Sequence, residues 1–477
     1  MFQNLSPLDH RYRISNPALF SILSEYLSEN ASVQYELKVE AALLKVFARR
    51  FFPQEVASLT QKIDDAICSI TPEKVYKEEQ HTQHHIRALV EVMKNHIPQS
   101  MRNYVHLGAT SMDIVDTAFA LRLKDLSKQV MIPLLALVVQ KLIEISEKHD
   151  NTLQIARTHG QFALPITFGY AISEYIARFG ALIPSLQARA NELQGKFSGA
   201  VGGYHAMKII VSDPEILETE ILGELHIKRS DFASQIVPPE STTRLLFEYS
   251  LALGIAANLA DDIRHLQRSE ISELKESFSH DQVGSSTMPH KKNPWNCEHI
   301  KSLWKTFSPR ILSFLMDQIS EHQRDLTNSA SMRFSSEFLA GCITAIVRTK
   351  SVLDTLQINQ YKMKENLLRA GDQILAEPLY ILLSLSSSST SYQEIKSATL
   401  QAESTGKSLL EILQSIPSLW TTLSTQAEKT GIHSLSDFLK NPAKYLGKVQ
   451  ERGQAIRKKY RIIVQEIDIP SSLQAIF

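Results

Sequence analysis

Apolar residues recur at three- and four-residue spacing over long stretches of this chain, the spacing that gathers them on one face of an α-helix. Residues 113–148 carry the pattern with one interruption, at Pro133. Residues 166–193 repeat it. The stretch 241–278 is the longest, opening on a cap-like Ser-Thr-Thr and containing one Gly and no Pro. A continuous helix there would be roughly 57 Å long at 1.5 Å per residue. Asn293-Pro294 reads as a cap and first-turn proline opening a further helix through Trp304. Alternating strand patterns are scarce. The expectation is an all-α protein of three helical domains, at 1–110, 111–365 and 366–477, the middle one a long-helix bundle. Helices this long bear apolar faces that one subunit covers poorly, so assembly through a multi-helix core is expected.

Composition narrows the function classes. The 477 residues include 43% hydrophobic and 21% charged positions, ordinary for a soluble globular protein. Lys+Arg and Asp+Glu both number 51, so there is no overall basic excess of the kind duplex-binding proteins carry. A small anionic ligand needs only a few local cations. Cys68, Cys297 and Cys342 stand far apart, which argues against a disulfide framework or thiolate zinc site and fits a reducing cytoplasm. The N-terminus lacks the pattern of a secretory signal. The most apolar run, 130–139, is shorter than the roughly 20 residues a bilayer requires. Ser-Leu-Ser-Ser-Ser-Ser-Thr-Ser at 384–391 is a low-complexity patch that reads as a surface loop.

Four polar, glycine-containing segments interrupt the helices. At 284–294, Gly-Ser-Ser-Thr-Met-Pro-His-Lys-Lys-Asn-Pro sets Lys291 and Asn293 beside a helix start, a combination that favours a carboxylate or phosphate. On those features alone a plain interhelical loop with a capped restart is the usual explanation. Arg-Thr-His-Gly-Gln at 157–161 holds a histidine suited to proton transfer near neutral pH, or to a buried structural hydrogen bond. At 105–114, Thr110-Ser111 can cap the helix that follows and leave spare N–H donors for an anion. At 323–333, Gln-Arg-Asp-Leu-Thr-Asn-Ser-Ala-Ser-Met-Arg offers guanidinium forks that suit phosphate, although Arg-Asp pairs are usually solvated. A fifth block, Glu-Gln-His-Thr-Gln-His-His-Ile at 79–86, puts His81 and His85 one helical turn apart. With no third ligand at recognisable spacing, a metal is not expected there.

The eleven-residue string at 284–294 resembles the hallmark of the fumarase/aspartase superfamily, whose members eliminate fumarate from succinyl compounds. Its Met-Pro-His-Lys is similar to the adenylosuccinate lyase branch, where fumarase has Gly before the Lys. The strings at 157–161 and 323–333 resemble that branch, as do Ser-Pro-Leu-Asp-His-Arg-Tyr at 6–12, Gly-Ala-Val-Gly-Gly-Tyr at 199–204 and Ser234-Gln235-Ile236. The resemblance runs from about residue 6 to Pro378. One block departs: 79–86 resembles a helix reading Glu-x-x-Thr-x-His-Asp-Val, with His85 where the family has Asp.

The resemblance implies an anti elimination that gives fumarate and an amine-bearing nucleotide. It makes Ser285 the base and His159 the general acid. Lys291 and Asn293 stabilise the carbanion, and Glu298 partners a site histidine, His84 or His159. Thr110 and Ser111 would hold a substrate carboxylate, with His106, Thr158, Gln235 and Met288 lining the site. Arg11, Tyr12, Arg324, Ser329 and Arg333 would bind the nucleotide phosphate. It also implies no cofactor or metal, and a homotetramer whose sites combine segments of three subunits. Sibling lyases acting on argininosuccinate or carboxymuconate are disfavoured by the phosphate-type residues. An inactive helical scaffold is disfavoured by intact Ser285, His159 and Lys291.

Overall fold

The computed structural model describes residues 3–278, 287–386 and 388–477. Its frame is a four-helix bundle; three of its helices lie on the long periodic segments, and the fourth, Ser329–Thr355, was not expected from the pattern. Ile132–Lys148 packs on Phe168–Glu192, which packs on Glu240–Leu266; that helix packs on Ser329–Thr355, which closes the ring against Ile132–Lys148. The shorter Trp295–Phe307 helix wedges against Glu240–Leu266 and Ser329–Thr355. Near the amino end, Glu29–Phe51 packs on Ser111–Leu126. The strands are short and pair in twos among the described residues, so the all-α expectation holds.

The interruption at Pro133 is absorbed without breaking the helix. Ser111–Leu126 passes through a π-helical turn, Ser127–Met131, into Ile132–Lys148, where Pro133 lies in the first turn. A π-turn shifts the backbone pairing by one residue and relieves the amide that proline lacks. The result is one rod of 38 residues, Ser111–Lys148. By length and composition alone it could cross a membrane, but most of its apolar window is buried among other helices.

Two expectations change. The 241–278 pattern does not make one helix: Glu240–Leu266 stops after 27 residues, about 40 Å at 1.5 Å per residue. Beyond it, Leu274–Lys275 pairs antiparallel with Gln357–Ile358. The cause is the pairing of two buried carboxylates, Glu273 and Glu276. Glu273 accepts from Gln154, Arg157 and Asn366 at 2.7–2.8 Å. Glu276 accepts from the backbone N–H groups of Asn296 and Cys297, capping the Trp295–Phe307 helix. The second change is at 153–167, where Leu153–Thr158 and Gln161–Thr167 form a hairpin although alternating strand patterns are scarce in the sequence.

One apolar core runs through the amino-terminal helices and the bundle. A second gathers Leu375, Leu379, Leu409, Leu413, Leu423 and Leu439. The chain then returns: Val449–Gln465 packs on Ile132–Lys148 and Phe168–Glu192, and its Tyr460 joins the first core.

Candidate active site

Thr110 is the N-cap of Ser111–Leu126 and forms a capping box with Asp113, whose carboxylate accepts from the Thr110 N–H at 2.8 Å. Asp113 and Lys196 are both fully buried and form an ion pair. The same carboxylate accepts from the Gly199 N–H at 3.3 Å, and Lys196 Nζ donates to the Gly199 carbonyl at 3.1 Å. The pair thus ties the Thr110-Ser111 start to the glycine turn at 199–203. Gly202 in that turn has φ +76°, and a Cβ there would lie 1.7 Å from the Ala233 carbonyl oxygen. Only glycine allows the turn to press on the backbone just ahead of Gln235.

Gln235 donates its backbone N–H to the Gln323 carbonyl at 3.3 Å, and Val237 donates to Asp116 at 2.9 Å. A cavity of about 270 Å³ opens here. Arg324, Ser329 and Arg333 line it, together with Asp116 and apolar walls that include Phe119 and Phe314. Arg324 donates Nε to the Asp325 carbonyl at 2.9 Å, while its Nη1 is buried with no hydrogen-bond partner among the described residues. A buried donor left open beside a cavity is suited to an anion. Burial pushes the Asp116 carboxyl up to about 6, against the pull of the Val237 N–H, Lys196 and Arg324. Arg333 also borders an adjoining cavity of about 600 Å³ that holds His85.

His85 Nε2 lies 2.7 Å from Glu36, and its Nδ1 lies 3.6 Å from Glu79. The Glu36 hydrogen bond, opposed by burial and helped by Glu79, pushes the imidazole up to about 9. His84 is exposed and caps the His85–His96 helix through Nδ1. His106 Nδ1 lies 2.6 Å from the fully buried Glu40. Burial lowers the basicity of His106, but Glu40 and Asp113 outweigh it and the net shift is upward.

His159 and Gly160 form the two-residue tip of the hairpin, with φ +55° and +77° and Thr158 paired to Gln161. Positive φ at both positions marks the tight turn that matches strand twist. Thr158 and His159 are exposed. Among the described residues no hydrogen bond joins this tip to the Thr110-Ser111 or 323–333 segments.

Ser285 lies outside the described residues. Lys291 is exposed, and its N–H donates to the Met288 carbonyl at 3.0 Å. Met288 is exposed and Asn293 half-buried. The amides of Asn296 and Cys297, on which an anion could have rested, are taken by Glu276. Arg11 is exposed. The Tyr12 hydroxyl is 3.0 Å from His299 Nε2, and Glu298 beside His299 is exposed. Burial, helped by Arg348, pushes His299 down to about 4, so the ring is a neutral imidazole near pH 7.

The structure therefore joins Gln235 to the 323–333 block and leaves the hairpin tip apart. Sequence reading missed Glu36, Glu40, Asp116, Lys196, Glu276 and His299. A charged residue within an apolar helical run was the available signal for Glu40 and Asp116.

Comparison with known proteins bears on the family and the fold. A family model described as lyase matches residues 10–305, and one described as adenylosuccinate lyase C-terminal matches 320–430. The second extends past Pro378, where the recognisable strings end. The adenylosuccinate lyase of Pyrococcus abyssi is 31% identical over 93% of this chain and 95% of its own. That of Archaeoglobus fulgidus is 31% identical over 94% and 97%. Among solved structures, a fumarate lyase from Mesorhizobium sp. BNC1 superposes with a TM-score of 0.78 at 21% identity, over 92% of this chain and 97% of that one. The 3-carboxy-cis,cis-muconate lactonizing enzyme of Pseudomonas putida gives 0.76 at 21%, over 92% and 98%. At that identity these two speak for the fold alone. With relatives alike over nearly their whole length and family matches on both halves, the chain belongs to the adenylosuccinate lyase family of the fumarase/aspartase superfamily.

Proposed function

We propose that this protein eliminates fumarate from adenylosuccinate to give AMP, and performs the same elimination on the succinyl-aminoimidazole carboxamide ribotide of purine synthesis. The observation that carries the reading is the cavity wall of Arg324, Ser329 and Arg333 in a chain of this family. Two guanidinium groups and a hydroxyl suit a nucleotide phosphate, and the open Nη1 of Arg324 supplies an unused donor. Arg11 and Tyr12 complete the phosphate set. Thr110 and Ser111, with Gln235, His106, Thr158 and Met288, hold the succinyl part.

In the reaction Ser285 takes the proton from the succinyl carbon next to a carboxylate. The electron pair left behind forms the double bond of fumarate as the adjacent C–N bond breaks. His159 gives its proton to the departing nitrogen. Lys291 and Asn293 stabilise the charge that builds on the carboxylate in between. Glu298 and His84 serve the proton traffic around the acid. A serine hydroxyl is a weak base in water and needs nearby cations and a closed site.

The site belongs to several subunits of a homotetramer. Supporting this, Thr110-Ser111 begins the 38-residue rod and the His159 hairpin follows its far end. The rod is about 57 Å long, and the segment from Lys148 to His159 reaches back at most roughly 40 Å even when fully extended. Within one chain the two segments cannot share a substrate, so a site using both needs another copy. The domains proposed are 1–110, 111–365 and 366–477, and the middle one carries both the long-helix bundle and most of the site residues. Three unpaired cysteines support a cytoplasmic setting.

The test is a single assay. Purified protein is incubated with adenylosuccinate, and absorbance is followed for AMP and fumarate. Turnover is expected; absence of turnover together with cleavage of argininosuccinate would reassign the chain to a sibling lyase.

A further inference from the structure

The Glu29–Phe51 helix is buried along most of its length, yet it carries carboxylates at 36 and 40. Glu36 is 5% exposed and Glu40 is fully buried. A carboxylate in a core is costly unless it is paired. Residues four apart share one face of a helix, and each of these two meets a histidine from a different segment. Glu36 Oε2 holds His85 Nε2 at 2.7 Å, and Glu40 Oε1 holds His106 Nδ1 at 2.6 Å. Both histidines adjoin candidate segments: His85 follows His84, and His106 stands four residues before Thr110.

Two details set these contacts apart from ordinary core pairing. The second oxygen of Glu40, Oε2, is buried with no hydrogen-bond partner among the described residues. A carboxylate placed only to satisfy the fold would be expected to engage both oxygens. His106 also sits at φ +57°, a left-handed conformation that a non-glycine residue adopts at some cost. The backbone is bent to bring the ring to Glu40. With Nδ1 committed there, Nε2 is the ring nitrogen that remains.

We propose that Glu36 and Glu40 make this helix the positioning element of the active site. Glu40 fixes His106 as a cation that offers Nε2–H to a carboxylate of the succinyl group. Glu36 holds His85 in the same way, so the carboxylate that the family carries at position 85 stands one hydrogen bond further back. The second half of the idea gives the departure at His85 a role. The whole rests on the proposed lyase reading for the identity of the ligand.

The groups facing the two rings are few. His106 is flanked by Glu40, by Asp113 of the Ser111–Leu126 helix and by Arg87 of the His85–His96 helix. The two carboxylates favour its charge and the arginine opposes it. His85 faces Glu36, Glu79 and the Tyr76 ring at 6.0 Å.

The experiment measures fumarate binding by calorimetry from pH 6 to 9, with fumarate itself as the probe, on the full-length protein and on Glu40→Gln. The glutamine keeps size and a hydrogen bond but removes the charge. In the variant, affinity is expected to fall about tenfold between pH 6 and pH 8, because an imidazole with an ordinary pKa near 6.5 loses its charge across that range. The unaltered protein should show the same fall displaced to higher pH, and Glu40→Asp should restore part of the displacement. In adenylosuccinate kinetics the KM should follow the same displacement while kcat changes less. Coincident pH profiles for Glu40→Gln and the unaltered protein would overturn the proposal, as would a displaced profile that survives in His106→Gln. Should Glu40→Gln fail to fold, Glu36→Gln and His106→Gln decide. The former should lower affinity and the latter should abolish the pH dependence; unchanged binding in both overturns the idea. Displaced fumarate binding without adenylosuccinate turnover would retain this inference and sink the function; turnover with coincident profiles would do the reverse.

Discussion

His85 illustrates how far a single position can be read. From sequence it is a departure, a cation where a carboxylate is usual; in the fold it is gripped by Glu36 and Glu79. Its folded pKa of about 9 stands above the ordinary 6.5. The ion pair therefore stabilises the fold fully below pH 6.5, and that contribution is lost as pH rises through about 9. Melting temperatures of the unaltered protein and His85→Gln should differ most at pH 6 and converge by pH 10; a constant gap would show that the charge is irrelevant. For the chemistry, Ser285→Ala and His159→Ala should each lower kcat by about 10²–10⁴-fold, the range for losing a positioned acid or base. Calorimetric binding of fumarate should persist in both. Undiminished turnover in Ser285→Ala would remove it from the base role. His159, Ser285 and Lys291 were singled out from the sequence because their strings are distinctive. Glu40 and Lys196 were not, since a charge buried in a helix or turn looks like a surface charge until its partner, 66 or 83 residues away, is known.

At the scale of elements, Ser329–Thr355 went unread, but the other three bundle helices were legible because burial enforces a 3.6-residue period over many turns. Their ends were less so. Glu240–Leu266 stops where Glu273 and Glu276 find partners on distant segments, which no local pattern encodes. The hairpin was missed because its strands are six and seven residues long and its tip is His-Gly. Two glycines in turns give a contrast worth measuring. Gly160 has positive φ but open space around it, so Gly160→Ala should cost only the backbone term, about 1 kcal/mol. Gly202 adds a collision with the Ala233 backbone, so Gly202→Ala should cost more and displace the Gln235 segment. Urea unfolding gives the stabilities, and KM reports the displacement. Equal, small losses at both positions would mean that the 199–203 turn does not brace the 233–235 backbone.

For the whole molecule, the rod of Ser111–Lys148 dominates. The sequence pattern made a long-helix bundle foreseeable, and the return of Val449–Gln465 onto it was hidden by a C-terminal stretch without recognisable strings. If the proposed site draws on Ser285 from one copy and His159 from another, two defective proteins can complement each other. Ser285→Ala and His159→Ala, unfolded together and refolded as mixed tetramers, should regain activity that neither has alone. A mixture as inactive as its components would place Ser285 and His159 of each site in the same chain. The rod has a further consequence, one of mass action. When a reaction centre is assembled from the opposite ends of identical rods, specific activity depends on protein concentration. On progressive dilution turnover per chain should fall steeply while circular dichroism stays constant, because the centre dissociates before any helix melts.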